Sequence, residues 1–182
     1  MPIDSLHPNY AASMLKWERC RDAYEGSDAI KAKGTKYLPK LQKQTKNEYN
    51  AYKDRALFYS ITSKTVGALL GMAMVRPPVV RMPEEMKWAY EDDKGVQFLE
   101  YLSISLSENL LMGRIGVLID RPAENEAPQP VFYPTESIIN WSFDSEGKMM
   151  WVVLKEVIDV VKKDDRYDMT TETQYRLLEI NA

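Results

Sequence analysis

The chain has 182 residues, of which 45% are hydrophobic, and a formal net charge of −3 at pH 7. This length and composition are sufficient for one globular unit, or for two small lobes that share a core. The slightly acidic balance argues against a protein that coats nucleic acid over its whole surface. With one cysteine, Cys20, and one histidine, His7, the chain can form neither an intrachain disulfide nor a zinc site built on paired cysteines or clustered histidines.

The first predicted helix covers residues 8–25. Pro8 is typical of a helix start, and Gly26 is typical of the position after a helix end. One helical face, formed at intervals of three and four, is expected to pack in a core; its residues are Tyr10, Met14, Trp17, Arg21 and Tyr24. We expect Cys20 to be a packed thiol rather than a nucleophile, since no base is evident beside it. A short helical turn over 28–33 and an extended connection follow.

Six lysines and no acidic residue lie between positions 31 and 46. The lysines are Lys31, Lys33, Lys36, Lys40, Lys43 and Lys46. Such a run is usually a solvated surface. The alternative is a patch that contacts phosphate or an acidic partner, because clustered lysines raise the local concentration of anions.

A single long helix is predicted over 46–75. Thr45 and Glu48 have the spacing of a capping box, and Pro77 and Pro78 are expected to end the helix. After Lys64 the segment carries no charge until position 76, so it requires cover on several sides. We expect the chain's own core, at the junction of the helical and β-rich parts, to supply most of that cover. The candidates for packing against a neighbouring subunit are Val66, Gly67, Leu70, Gly71 and Met74.

No membrane partner is expected. The longest apolar run, 66–75, is about half of the roughly 20 residues that a membrane-spanning helix needs. The first ten residues lack the basic and apolar regions of a secretory signal, and the lone cysteine is compatible with a reducing compartment.

Helices over 84–91 and 95–112 are predicted next, the second ending at Gly113. The apolar period then changes from helical to alternating. Strands are predicted over 114–120 and 131–133, with an acidic, proline-rich loop between them and a turn capped by Thr135 after them. A hairpin with Gly147 in its turn leads into a strand over 148–161, and a polar turn over 162–172 precedes a returning strand over 173–180.

The predicted fold class is therefore α+β, with a helical part over 1–113 and a β-rich part over 114–182 that forms a small, mainly antiparallel sheet. A meander that ends with the last strand leaves an open sheet edge unless another segment or chain covers it. We therefore expect more protein to follow Ala182.

No constellation that supports catalysis is evident. The chain has no phosphate-binding glycine motif. One acidic cluster, 91–93, fits a helix end, and another, Asp164, Asp165 and Asp168, fits a hairpin tip. A calcium or magnesium site at the second cluster is the least favoured alternative. The sequence predicts no enzyme, cofactor or metal.

The order of motifs along the chain resembles the N-terminal part of the portal proteins, the head–tail connectors of tailed bacteriophages. The resemblance rests on "W…CRD…G" from Trp17, "YLPK" from Tyr37, the "Y…Y…RA.FY..T..TV..L.G" segment with its "RPP" end, "GR.G.L.D.P" from Gly113 and "IINW" from Ile138. These motifs are spread over essentially the whole chain.

The resemblance implies a structural function. Portal proteins form rings, typically dodecamers, at one capsid vertex, and double-stranded DNA passes through the channel while a separate terminase drives packaging. The chain would then be one wing-like unit, with the stem and clip regions and the DNA-contacting segments outside it. Implied partners are copies of the chain, terminase, capsid or scaffold, and head–tail adaptor proteins. The implied location is the virion, and the host cytoplasm during assembly.

Overall fold

The computed structural model describes residues 2–76, 78–81, 83–85, 98–121, 128–162 and 165–180. The predicted α+β class is confirmed. The described α-helices are α1 (Pro8–Glu25), α2 (Ser27–Ala32), α3 (Lys46–Arg55), α4 (Ile61–Met74) and α5 (Phe98–Met112). Short 3₁₀ turns lie at Gly34–Lys36 and Thr135–Ser137.

Two small antiparallel sheets form in the second half of the chain. Strands β1 (Gly116–Asp120) and β2 (Gln129–Tyr133) make one sheet; β3 (Ile138–Phe143), β4 (Met149–Lys162) and β5 (Asp165–Glu179) make the other, with β4 in the centre. The β3–β4 pairing runs from Ile138 opposite Leu154 to Phe143 opposite Met149. Beyond Leu154, β4 pairs with β5 alone, so the two strands continue as a two-stranded ribbon.

The chain divides into two compact units. The β unit comprises Met1–Leu15, Arg114–Asp120 and Pro130–Ala182, and the helical unit comprises Lys16–Gly113 and Arg121–Gln129. The sequence predicted a division between 113 and 114. In the structure the first 15 residues group with the strands, because Tyr10 is buried there and its hydroxyl donates to the Glu136 carbonyl oxygen at 2.8 Å.

Several predicted helix ends are confirmed. Helix α1 ends at Glu25, directly before Gly26, and α5 ends directly before Gly113. The capping box at the start of α3 is complete: the Glu48 amide donates to the Thr45 hydroxyl, and the Thr45 amide donates to the Glu48 carboxylate. Each of these features depends on residues close together in the sequence.

The single long helix predicted over 46–75 is wrong in its middle. Residues 56–60 are not helical, and they separate α3 from α4. The chain leaves the helix at Ala56, which has an extended backbone, and the Lys31 amino group donates to the carbonyl oxygen of Asp54 at 2.8 Å. That contact satisfies a carbonyl that the end of α3 leaves without a helical partner. Contacts from the segment around Lys31 therefore stabilise the break.

The last hairpin is longer than predicted. The turn expected over 162–172 is replaced over most of its length by strand, since β5 begins at Asp165 and pairs continuously with β4 from Met169 to Glu179. Asp168 therefore lies in a strand rather than in a hairpin tip. The helix predicted over 84–91, the 91–93 cluster, the proline-rich loop, Pro77 and Asp164 fall wholly or largely outside the described residues.

Each unit has a small core. In the β unit the buried residues include Tyr133, Ile139, Val153 and Leu154, together with Thr135, whose hydroxyl donates to the Arg114 carbonyl oxygen at 2.7 Å. In the helical unit the buried residues are Asp22, Ile30, Val66 and Met112. The aromatic face predicted for α1 is covered only in part, since Met14 is exposed. The expectation of a packed Cys20 is wrong, because its side chain is exposed.

Candidate functional site

Six large apolar side chains on α4 and the residues that flank it are exposed to water. We call this set the α4 surface; it consists of Leu57, Tyr59, Ile61, Leu69, Met72 and Val75. The most exposed member is Leu57 at 84%, and the least exposed is Leu69 at 41%. A helix that is apolar on most sides and covered on one leaves such a surface in water.

The five residues predicted to pack against a neighbouring subunit do not share one environment. Val66 is buried, and Leu70 and Met74 are half-buried on the same side of α4. Gly67 and Gly71 are exposed, and a Cβ atom added at either would meet no heavy atom within 4 Å. The first three therefore serve the core of the helical unit, whereas the two glycines face open space beside the α4 surface.

Helix α4 packs against α5, and α1 lies beside both. An open cavity of about 620 Å³ is lined by all three helices; its lining includes Cys20 on α1, Leu69 on α4 and Leu110 on α5. Helices α1 and α5 are joined by Arg21, whose two terminal nitrogens donate to the two oxygens of Glu108 at 2.7 and 2.8 Å. Such a bidentate pair fixes geometry as well as charge. This pair therefore fixes α1 relative to α5, the two helices that line the cavity together with α4.

The lysine run is not a uniform basic patch. Lys33 bonds to one carboxylate oxygen of Glu18, and Lys36 bonds to the other. The amino group of Lys33 also lies 3.3 Å from an oxygen of the buried Asp22. The hydrogen bond from Lys33, followed by that from Lys36, lowers the pKa of Glu18 from 4.5 to about 2. The two lysines therefore neutralise acids of α1.

Of the other four lysines, one is also hydrogen-bonded within the chain. The amino group of Lys31 donates to a carbonyl oxygen of α3, as described above. Lys40, Lys43 and Lys46 are exposed, and in the described residues no ion pair involves them. Three of the six lysines of the predicted patch therefore remain available to an acidic partner.

A polar network joins the two sheets of the β unit. The Arg176 guanidinium donates to Asp120 on β1 at 2.8 Å and lies 3.0 Å from Glu156 on β4. The Tyr133 hydroxyl on β2 donates to the same Glu156 carboxylate at 2.6 Å. Burial, and then this hydrogen bond, raise the pKa of Tyr133 to about 12. The network holds the sheets together, and its acids are already engaged by donors.

An apolar groove of about 730 Å³ lies in the β unit beside this network. Aromatic side chains contribute much of its lining, among them Tyr133, Trp141, Phe143 and Trp151. The ribbon formed by β4 and β5 also exposes apolar residues; these include Val157, Ile158, Val161, Tyr167 and Met169. Among the described strands none pairs with the outer edge of β5 or with β4 beyond Leu154. These edges can accept a further strand.

Side chains that bind metal ions are not clustered in the described ranges. They contain no group of three or more histidine, cysteine, aspartate or glutamate side chains placed to hold a metal ion. Nor does any described helix combine the length and apolar character needed to cross a membrane. The described residues therefore offer three candidate contact regions, which are the α4 surface, the free strand edges and three exposed lysines.

A scan of the sequence against protein-family models gives no match, and no curated protein matches it either. The portal resemblance therefore continues to rest on the order of motifs in the sequence.

The sequence did not single out Leu69 and Met72, which the structure leaves exposed. The available signal was that apolar residues occur on every side of 66–75, so one side had to face outward. Which side faces outward depends on where α5 and α1 pack, and that information is not local.

Proposed function

We propose that this chain is a structural, non-enzymatic protein that assembles with copies of itself into a closed ring, the portal at a capsid vertex of a tailed bacteriophage. The observation that carries the proposal is the α4 surface. Soluble proteins that act alone rarely expose a large contiguous set of apolar side chains, and larger exposed sets mark interaction sites. A second copy of the chain would remove these side chains from water.

Ring assembly requires two different contact surfaces on each subunit, because a ring is closed by head-to-tail contacts. The helical unit offers the α4 surface, and the β unit offers the free edges of the β4–β5 ribbon. A two-stranded ribbon is at best marginally stable alone in water, so added cover would stabilise it. The presence of two unlike surfaces supports a ring over a two-fold dimer.

The remaining roles follow from the resemblance alone. As a portal, the ring would surround the path of double-stranded DNA and bind terminase, capsid or scaffold, and head–tail adaptor proteins. None of these roles requires catalysis by the chain.

Sedimentation velocity and mass photometry of the purified chain, over a series of concentrations, test the proposal. We expect association to species larger than a dimer, and negative-stain images that show closed rings. Cys20 provides a second readout, since it is the only thiol and lies in the cavity beside Leu69. Maleimide labelling of Cys20 should slow as association proceeds. A chain that stays monomeric at every concentration, with constant labelling, contradicts the proposal.

A second candidate is a non-enzymatic module that binds an acidic partner or nucleic acid through Lys31–Lys46. The exposure of Lys40, Lys43 and Lys46 favours it, while the pairing of Lys33 and Lys36 with Glu18 reduces the available charge. If this function is correct, affinity for DNA falls steeply with added salt. It is lost in the Lys40→Glu, Lys43→Glu, Lys46→Glu variant. The ring proposal predicts that this variant still assembles.

A further inference from the structure

The N-terminal segment 2–15 is fastened along β3 by contacts between residues that are far apart in the sequence. The amide of His7 donates to the Ile139 carbonyl oxygen at 2.9 Å, and the side-chain amide of Asn140 donates to the Ser5 carbonyl oxygen at 2.9 Å. A third bond, from the Tyr10 hydroxyl to the carbonyl of residue 136, lies one helical turn further along. We call this segment the strap.

His7 is the centre of the strap and also the first residue before α1. Its Nδ1 atom accepts a hydrogen bond from the amide of Asn9 at 3.1 Å, and its carbonyl oxygen accepts the amide of Ala11 at 3.0 Å. His7 thus caps the helix, which begins at Pro8. Its ring also stacks on the Trp141 ring of β3, with centroids 4.1 Å apart and an angle of 13° between the planes.

Only the neutral imidazole can make all of these contacts. A protonated imidazole carries a hydrogen on both nitrogens, so Nδ1 can no longer accept the Asn9 amide. The positive charge would also lie at the positive end of the α1 dipole. Protonation therefore removes the cap and introduces a repulsive interaction at the same atom.

Charged side chains lie on the elements next to His7. On the side of β1, the Arg114 guanidinium lies 4.6 Å from the centroid of the same Trp141 ring, so the ring already has a cation on it. In the turn before β3, Glu136 interacts with Arg114 and Tyr10. Within the strap, Asp4 is exposed to water, which screens its charge.

We infer that the strap is a pH-sensitive latch, in which the neutral His7 holds residues 2–15 on β3 and protonation of His7 releases them. Histidine is the side chain that ordinarily changes charge between about pH 5 and about pH 8. The chain contains one histidine. A histidine-dependent change in this range therefore reports on His7 alone. This inference is independent of the proposed ring.

Amide hydrogen exchange tests the latch. Exchange of peptides from 2–15 is measured at about pH 7 and about pH 5.5, each corrected for the intrinsic exchange rate. The strap should lose about fivefold in protection on acidification, the size expected for the loss of a helix cap. Peptides from the β4–β5 pairing, which His7 does not contact, should keep their protection, because release of the strap is local.

The matched control is His7→Asn, since asparagine also caps helices but does not titrate. Its strap should exchange faster at both pH values because the stack on Trp141 is lost, but the ratio between the two pH values should be close to one. Equal pH dependence in the wild type and in His7→Asn overturns the inference. Equal protection of the wild-type strap at the two pH values also overturns the inference, and this result requires no variant.

Discussion

Truncation of the α4 surface is the sharpest test of self-assembly. Leu69 and Met72 lie one helical turn apart on α4 and are 41% and 65% exposed, respectively. In Leu69→Ala, Met72→Ala both side chains are shortened while the buried Val66 is left in place. The fold should be retained, because the buried core residues are unchanged and both shortened side chains are exposed.

The expected magnitude follows from the exposed fractions. Full burial of a leucine or methionine side chain contributes about 1.5–3 kcal/mol. If a second copy covers the exposed fractions, Leu69 contributes about 1 kcal/mol and Met72 about 1.5 kcal/mol to each contact. Loss of both contributions, about 2.5 kcal/mol of binding free energy, should raise the dissociation constant of each contact by about 70-fold.

The assay is sedimentation velocity over a concentration series, with circular dichroism to confirm an unchanged fold. The matched control is Leu41→Ala, because Leu41 is 72% exposed and is not part of the α4 surface. This control should associate like the wild type. If the double variant associates as strongly as Leu41→Ala and the wild type, α4 is not the contact surface and the reasoning from exposure fails.

Three further predictions concern stability. The lowered pKa of Glu18 means that its bonds to the lysines stabilise the fold above about pH 4.5 and are lost as the pH falls toward about 2. Over that acidic range the melting temperature of Glu18→Gln should therefore decrease less than that of the wild type. The raised pKa of Tyr133 means that its neutral form stabilises the fold below about pH 10 and that this contribution is lost as the pH rises toward about 12. Absorbance at alkaline pH should show one fewer late-ionising tyrosine in Tyr133→Phe than in the wild type. Gly26 has φ of 90°, and a Cβ there would lie 2.8 Å from the Ser60 hydroxyl, whereas Gly113 has φ of 79° and open space around it. Urea unfolding should show that Gly26→Ala lowers the free energy of unfolding by more than the about 1–2 kcal/mol of conformational strain expected for Gly113→Ala. Equal losses in the two variants would show that the contact with Ser60 is unimportant.

Interactions between near neighbours in the sequence are the ones that could be read without the structure. The capping box of Thr45 and Glu48, the helix ends before Gly26 and Gly113, and the hairpin turn at Gly147 all involve residues within about one turn of each other. The α+β class follows from the same source, because the change of apolar period after Gly113 marks where helices give way to strands.

Part of the candidate site could also be predicted. The apolar character of 66–75 identified α4 as the element whose cover had to be explained. Gly67 and Gly71 were singled out as candidates for packing against a neighbouring subunit, and this stays a prediction. The distinction between buried Val66 and exposed Leu69 could not be predicted. It depends on the direction from which α5 approaches, and both residues are equally apolar.

The amino-acid sequence alone therefore determined where most elements begin and end, since caps, glycines and apolar period act over a few residues. Only the tertiary structure decided that residues 56–60 interrupt the long helix, that Lys33 and Lys36 neutralise Glu18, and that His7 lies against Trp141. The physical reason is the same in each case. These outcomes depend on contacts between residues separated by 15 to 134 positions in the chain, and the free energy of such a contact depends on which groups the fold brings together.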